Sequence, residues 1–454
     1  MARACLAAAP GDEGAGRRSL VLAGGGMRVA YQAGVLAALD EEGLRFHHVD
    51  GTSGGTINLS MLLTGQGVDE MCDRWRGLDP RDFCAPLPWS DYLRSPHWPG
   101  LGGGNGIRDK VFPQLGIDPV EIRKSDGVTG TYNICNFATK TVEVLEHTEV
   151  DEDLLVAAIS LPVLMPAVER DGIAYTDAVW IRDSNVPEAA RRGSDEVWLV
   201  WCLGNTVDYE RGLFRQYVHM IEMAANGSLL GDLDHLAGDA GAAGLRLHVI
   251  KPSRPIPLDP DFLVGRVDAA GLIGMGYRDA RAYLRRPGPL TAPWGPDVSQ
   301  MRPSRPGVAT RLVASDRSGG LGVHLRLEAP TPAAGAVSLV MDATGDVSVP
   351  GLPAHRLVEE GTVTFEAGGV RMDLRLGPGT GSLRLTGATV ADGIDVTVHD
   401  GGDGRVVRSG ALPFGPAQAA RTLTALHATG APSWADAWRA RASTGRAVWR
   451  AGRR

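Results

Sequence analysis

The chain of 454 residues has no run of 18 apolar residues and no sustained apolar segment near its beginning. The sequence therefore predicts neither a membrane-spanning helix nor a secretory signal. We expect a cytoplasmic protein, and contact with a membrane surface stays open as a further expectation. The net charge is −7, with acidic and basic residues mixed throughout and no basic stripe, so no nucleic-acid partner is predicted.

Cysteine is scarce. The five cysteines are scattered, odd in number and without a C-x-x-C pair: Cys5, Cys72, Cys84, Cys135 and Cys202. Their spacing predicts neither a disulfide framework nor a thiolate metal site, and a reducing compartment is expected.

The most informative motif is Gly51-Thr52-Ser53-Gly54-Gly55, between a predicted strand (Phe46 to Asp50) and an apolar run. A G-x-S-x-G sequence at a strand-to-helix turn is typical of a nucleophilic serine, because the turn exposes the hydroxyl and its glycines allow strand and helix to approach. The following helix N-terminus would favour negative charge beside the serine. Ser53 is therefore the candidate nucleophile.

A second glycine-rich turn lies upstream, at Gly24-Gly25-Gly26-Met27-Arg28, between a predicted strand (Ser19 to Ala23) and a helical pattern. Its backbone N–H groups could hold an anion. A dinucleotide fingerprint requires G-x-G-x-x-G, but Val29 stands at the last position and no acidic residue follows at the right distance. An oxyanion hole for the Ser53 reaction is favoured over a nucleotide site, and no cofactor is predicted.

A serine nucleophile needs a base. None of the eleven histidines stands out, and His47, His48 and His248 are expected to be structural or exposed. A carboxylate can accept the serine proton instead, and Asp177, in Tyr175-Thr176-Asp177-Ala178, is the candidate.

These three elements in this order resemble the patatin-like phospholipase family over roughly residues 19 to 285. The resemblance implies a Ser53–Asp177 dyad and an oxyanion hole from the glycine loop and Gly54. Arg28 is expected to brace the loop, meet a phosphate or form a structural salt bridge, and these alternatives stay open. After the aspartate the chain has Ala178-Val179 where the family usually has glycine and then glycine or alanine. The implied activity is hydrolysis of a lipid or other carboxylic ester. An acyltransferase and a degenerate, non-catalytic lipid-binding protein stay open as alternatives.

Alternating short strands and helices up to about residue 285 predict an α/β domain with a mainly parallel sheet, and the family resemblance implies three α/β/α layers. Short period-two runs after the proline-rich segment 287–306 predict an all-β sandwich or small barrel, followed by a helical tail. The predicted organisation is a tail (1–18), a catalytic domain (19–290), a linker (291–310) and an accessory β-domain (311–454). The last of these weakly resembles a β module of glucose-methanol-choline oxidoreductases. An aromatic, proline-broken segment at 80–106 suggests either a lid at a lipid interface or a packed loop.

Overall fold

The computed structural model describes residues 6–7, 17–83, 87, 89–93, 100–203, 209, 211–239, 242, 244–256, 267–301, 306–316, 320–332, 338–352, 355–366, 369–377, 383–390, 393–429 and 434–452. They fall into two compact units, residues 1–263 with 282–302 and residues 264–281 with 303–454. None of the helices in these ranges is long and apolar enough to cross a membrane.

The first unit is built on an eight-stranded mixed sheet in the order β5-β6-β3-β2-β1-β7-β8, with β4 also paired to β3. Its strands are β1 (Arg18–Leu22), β2 (His48–Thr52), β3 (Thr129–Asn136), β4 (Thr141–Glu146), β5 (Val168–Arg170), β6 (Ile173–Asp177), β7 (Glu196–Val200) and β8 (Arg246–Ile250). The run β3-β2-β1-β7-β8 is parallel, and β4, β5 and β6 add antiparallel pairs. The predicted α/β fold with a mainly parallel sheet is confirmed.

Nine α-helices of the described residues lie wholly in this unit. They are α1 (Ala30–Glu41), α2 (Gly55–Leu63), α3 (Val68–Gly77), α4 (Trp89–Tyr92), α5 (Phe112–Leu115), α6 (Pro119–Arg123), α7 (Glu152–Ile159), α8 (Val186–Arg191) and α9 (Leu213–Ala237). Short 3-10 turns span Gly26–Val29, Pro80–Phe83 and Pro296–Val298, and a π-turn spans Ile107–Val111.

One face of the sheet is covered by α8 and α9. Apolar residues of β1, β7 and β8 form a single buried core with residues of these two helices: Val21, Leu199, Leu247, Val186, Ala189, Ile221, Ala225, Leu229 and Leu233. On α9 these positions recur every three or four residues, the spacing that places side chains on one helical face. α2 contacts β1 and β2, and α1 packs against α2 and α3.

Strand β3 brings the ends of β2 and β6 together. Along one edge, β4 pairs with β3 from Thr131 to Asn136, so β2 and β6 must share the other edge. There β2 ends with Thr52 opposite Asn133, and the antiparallel β6 ends with Asp177 opposite Ile134. The residue that follows β2, Ser53, therefore lies beside the last residue of β6.

The segment proposed as a linker is partly packed on the first unit. Leu290 exchanges backbone hydrogen bonds with Leu247, and Val298 and Met301 are buried. The Lys251 ammonium group donates to the carbonyl oxygens of Asp297, Val298 and Gln300. We therefore propose that the boundary on this side lies near residues 302–306, of which 302–305 lie outside the described residues.

The second unit contains one antiparallel sheet of nine strands in the order β16-β15-β14-β13-β12-β11-β10-β9-β17. The strands are β9 (Gly307–Ser315), β10 (Gly322–Pro330), β11 (Ser338–Ser348), β12 (Arg356–Glu366), β13 (Gly369–Leu376), β14 (Leu383–Val390), β15 (Gly393–Asp400), β16 (Val406–Pro413) and β17 (His427–Thr429). Its helices are α10 (Ala269–Leu284, through Arg281), α11 (Pro416–Thr424) and α12 (Trp434–Ala451). The buried face of the sheet shares one core with residues of α11 and α12, among them Ala419, Ala440 and Val448.

The all-β character and the helical tail are confirmed, and the described strands of this unit form one continuous antiparallel sheet. Each strand from β10 to β16 pairs with the one before it, because short turns between antiparallel strands join neighbours. The period-two pattern does not reveal β16, because the residues of this strand are mostly exposed and do not alternate between apolar and polar. Helix α10 lies within the predicted catalytic domain (19–290), but most of it belongs to the second unit.

Candidate active site

Ser53 occupies the sharp turn between β2 and α2. Its backbone φ is 52°, and Ser53 is one of five non-glycine residues with positive φ among those the structure describes. Such a conformation is strained for a residue with a side chain and is typical of functional turns. Gly55 permits the turn, because a Cβ atom there would lie 2.1 Å from the Leu22 carbonyl oxygen. The G-x-S-x-G motif therefore folds as the strand–turn–helix arrangement that its sequence predicts.

Asp177 is buried and lies beside this serine. Its carboxylate is within hydrogen-bonding reach of the Ser53 hydroxyl, and its Oδ1 accepts a hydrogen bond from the Val179 N–H at 2.8 Å. Burial raises the pKa of Asp177 to about 7, against the two hydrogen bonds, which lower it. A carboxylate with a pKa near neutrality is a stronger base than an exposed aspartate.

The substituted residues after Asp177 fit the turn without strain. Neither Ala178 nor Val179 is among the non-glycine residues with positive φ. The glycines usual in the family are therefore not needed here for their backbone freedom. Val179 contributes its N–H to the carboxylate instead.

The glycine-rich loop after β1 lies against this turn. A Cβ atom at Gly24 would be 2.8 Å from the Ser53 Cβ, and one at Gly54 would be 2.7 Å from the Gly26 carbonyl oxygen. The Gly24 N–H already donates to Asp183, to its backbone oxygen at 3.3 Å and to its Oδ1 at 3.0 Å. Within the described residues, the N–H groups of Gly25, Gly26 and Gly54 donate to no acceptor. These three N–H groups are therefore free to donate to an anion.

Arg28 is buried and braces the loop. Its Nε donates to the Gly25 carbonyl oxygen at 3.1 Å, and its Nη1 lies 3.4 Å from Oε1 of Glu222 on α9. The other oxygen of Glu222 lies 3.0 Å from Nδ1 of His219. Of the roles considered for Arg28, this geometry favours a structural salt bridge that supports the loop over phosphate binding, because the guanidinium is already paired and the side chain is only 5% exposed.

We predict that Glu222→Ala destabilises the protein by about 3–5 kcal/mol, because it leaves the Arg28 charge buried without its partner. Urea unfolding followed by circular dichroism measures the loss. The matched control is Glu70→Ala, which breaks a half-exposed pair with Arg74 and should cost less than about 1 kcal/mol. Equal losses for the two variants would contradict a stabilising brace.

A buried polar network lies under the turn. The Asp50 carboxylate accepts hydrogen bonds from the Thr131 hydroxyl at 2.6 Å and the Asn133 amide at 2.8 Å. Asn133 also accepts from the Asn185 amide at 2.7 Å, and Asn185 caps α8 by accepting the Glu188 N–H. Burial raises the pKa of Asp50 to about 7. The network ties β2 and β3 to the segment after Asp177, and so fixes the two sides of the site.

No histidine among the described residues hydrogen-bonds to Ser53 or Asp177. His48 is held between the Ser19 and Thr131 hydroxyls, and its burial lowers its pKa to about 3. His248 stacks on Trp198 and contacts Glu196 and Tyr283. Both histidines are thus engaged in packing and hydrogen bonds away from the dyad.

Exposed apolar side chains occur near the site. We call Leu101, Val163 and Phe214 the apolar rim. The Leu101 N–H donates to the Val163 carbonyl oxygen, and the Tyr217 hydroxyl donates to the neighbouring Pro162 carbonyl oxygen. Tyr217 lies close to Asp177; burial raises the pKa of the Tyr217 hydroxyl, and the negative charge of Asp177 raises it further. Tyr217 also contacts the Phe214 ring. Of the predicted 80–106 segment, Trp89 is 84% exposed, while Pro86, Pro88, Pro96, Trp98 and Pro99 and the Tyr92 side chain lie outside the described residues.

The arrangement of turn, carboxylate and glycine loop can be compared with known proteins. Residues 20–190 match the family model described as patatin-like phospholipase. The match contains Ser53, Asp177, Asp183 and the glycine loop, and it confirms the resemblance inferred from the motifs. It does not reach residues 311–454, so the likeness of that part to a module of glucose-methanol-choline oxidoreductases stays a prediction.

Among solved structures, the crystal structure of VipD from Legionella pneumophila is similar with a TM-score of 0.32 and 12% sequence identity, covering 63% of this chain and 70% of that chain. No curated protein matches the chain significantly.

In the first unit, sequence reasoning missed three residues that shape the site. Asp183 holds the Gly24 amide, Glu222 pairs with Arg28, and Asp50 anchors the network under the turn. Asp50 could have been noticed, because a carboxylate at the end of an otherwise apolar strand must find hydrogen-bond partners when buried. Glu222 is 194 residues from Arg28 along the chain, and nothing in the sequence signals that pairing.

Proposed function

We propose that the protein is a serine acyl hydrolase that cleaves carboxylic esters of lipids with a Ser53–Asp177 dyad. The observation that carries the proposal is the strained Ser53 turn, whose hydroxyl faces a buried carboxylate and adjoins unpaired backbone N–H groups. The family match of residues 20–190 supports the choice of lipid esters as the substrate class.

In the proposed reaction, the Ser53 Oγ attacks the ester carbonyl carbon while Asp177 accepts the hydroxyl proton. The N–H groups of Gly25, Gly26 and Gly54 are placed to stabilise the negative charge that develops on the carbonyl oxygen. The alcohol then leaves with the proton from Asp177, and Ser53 is acylated. Water attacks the acyl group, gives its proton to Asp177, and the carboxylic acid is released when Ser53 takes the proton back.

The apolar rim supports contact with aggregated lipid. Leu101 is 54% and Val163 60% exposed, and exposed apolar groups beside a site gain free energy when they enter a lipid interface. We propose that this surface contacts the membrane peripherally. We also propose that catalysis belongs to the first unit, which contains every residue of the proposed reaction.

An acyltransferase would share the first half of this reaction and differ in the acceptor. We expect phosphatidylcholine vesicles to yield free fatty acid as the main product, and added ethanol to divert only part of the acyl groups to ethyl ester. Mass spectrometry of the products, with Ser53→Ala as the blank, measures the ratio. Ethyl ester without free acid would favour the acyltransferase, and vesicle binding without either product would favour the lipid-binding alternative.

A further inference from the structure

Asp183 is a completely buried acid that the reaction above does not use. Its Oδ1 accepts the Gly24 N–H at 3.0 Å, while its Oδ2 has no hydrogen-bond partner among the described residues. A buried carboxylate normally has both oxygens satisfied. An oxygen without a partner costs much less when the group is a neutral acid than when it is charged.

The Asp183 carboxyl group and Ser53 both lie against Gly24. A Cβ atom at Gly24 would be 2.1 Å from Asp183 Oδ1 and 2.8 Å from the Ser53 Cβ, so the Gly24 backbone is in close contact with both residues. The hydrogen bond from the Gly24 N–H fixes the peptide that precedes Gly25 and Gly26. The orientation of the Gly25 and Gly26 N–H groups, which have no acceptor among the described residues, therefore depends on Asp183.

We propose that Asp183, as a neutral carboxylic acid, is a positioning residue that holds the oxyanion loop, and that its ionisation lowers the rate of the reaction. This inference rests on the proposed hydrolase function and deepens it. Asp183 touches no reacting atom, since its free oxygen is shielded within the protein.

Two charges face Asp183, and they act in opposite directions. Asp177, at the end of β6, disfavours a second negative charge, whereas Arg28 favours one but already pairs with Glu222. Burial is the largest effect, and with Asp177 it raises the pKa of Asp183 to about 8. Because the pKa of Asp177 is about 7, there is a pH range in which Asp177 is charged and Asp183 is neutral.

The sign of the pH effect follows. Below this range the base is protonated and the rate falls. Above it, Asp183 is negative beside the loop that must stabilise an oxyanion, and like charges repel. The pH profile of kcat/KM should therefore be bell-shaped, its two limbs belonging to the coupled Asp177–Asp183 pair.

The test compares kcat/KM from pH 5 to 10 on p-nitrophenyl butyrate, corrected for spontaneous hydrolysis. We expect the alkaline limb of the wild type to disappear in Asp183→Asn, whose amide oxygen can still accept the Gly24 N–H but cannot ionise. The acidic limb should remain. The control is Asp232→Asn, which removes a carboxylate paired with Arg182 outside the site and should keep both limbs.

Asp183→Ala tests the positioning role. It removes the acceptor of the Gly24 N–H, and we expect kcat to fall about 10–100-fold with little change in KM, whereas loss of substrate binding would raise KM. Partial recovery of kcat in Asp183→Asn would support the hydrogen bond as the cause.

The proposal is overturned if the wild-type profile stays flat to pH 10 or if Asp183→Asn keeps the alkaline limb. The wild-type profile decides the first point even if the variants fail to fold. Failure of the hydrolase function would look different, because wild type and Ser53→Ala would then hydrolyse the ester equally.

Discussion

Ser53→Ala is expected to reduce kcat/KM on p-nitrophenyl butyrate by at least about 10⁴-fold, because Ser53 is the proposed site of acylation. The fold should persist, since the change removes one oxygen atom at a turn. Fluorophosphonate labelling, which modifies activated serines, should be lost in the same variant. Intact-protein mass spectrometry should show one adduct on the wild type and none on Ser53→Ala.

Ser60→Ala is the matched control. Ser60 lies on α2, seven residues further along, is also buried, and donates its hydroxyl hydrogen to the Thr56 carbonyl oxygen. We expect this variant to keep labelling and turnover within a few-fold of the wild type. Comparable labelling of wild type and Ser53→Ala would show that another residue is the nucleophile.

Asp177→Asn is expected to lower kcat by at least about 10⁴-fold, because an amide cannot accept the serine proton. The shape of the site should be kept, since the amide oxygen can still accept the Val179 N–H. The wild-type rate should rise with pH through about 7, where Asp177 loses its proton. That rise should be absent from the residual rate of the variant.

Two comparisons make this test specific to a dyad. Asp232→Asn carries the same chemical change outside the site and should keep its activity. His48→Gln and His248→Gln should each stay within about tenfold of the wild type once folding is verified by thermal melting, because neither ring contacts the dyad. A histidine variant as inactive as Asp177→Asn would mean that a triad, and not a dyad, operates.

Asp177 also connects activity with stability. The buried acids Asp50, Asp177 and Asp183 all have raised pKa values, about 7, 7 and 8. These three groups therefore bind more protons in the folded protein than in the unfolded chain between about pH 4 and 8. The stability associated with these protons is complete below the unfolded pKa and is lost as the pH rises through the folded values. The proposed reaction at neutral pH thus requires Asp177 to be ionised, although ionisation of this buried acid lowers the free energy of unfolding.

The short motifs could be read from sequence because their chemistry is local. Glycine-flanked Ser53 follows a strand and precedes an apolar helix, so the turn is specified within about ten residues. The same holds for the glycine loop after β1. Alternating strands and helices likewise predicted the α/β fold, because each periodic pattern reports which face of its own element is buried.

Other features depended on contacts between distant residues. That β2 and β6 share one edge of β3, which brings Ser53 to Asp177, follows from the pairing of three strands. The assignment of most of α10 to the second unit was equally invisible, because an amphipathic helix does not specify which partner covers it.

The sequence by itself thus determined the central groups of the proposed site: a serine at a tight turn, a glycine loop and an aspartate as the proposed base. Only the tertiary structure decided how they are tuned. Burial, which no local pattern measures, raises the pKa of Asp177. The Gly24 N–H donates to Asp183, which is distant in the sequence, and is therefore not available to bind an oxyanion. The physical reason is that desolvation and long-range hydrogen bonds depend on what surrounds a group in space, whereas a motif records only its neighbours along the chain.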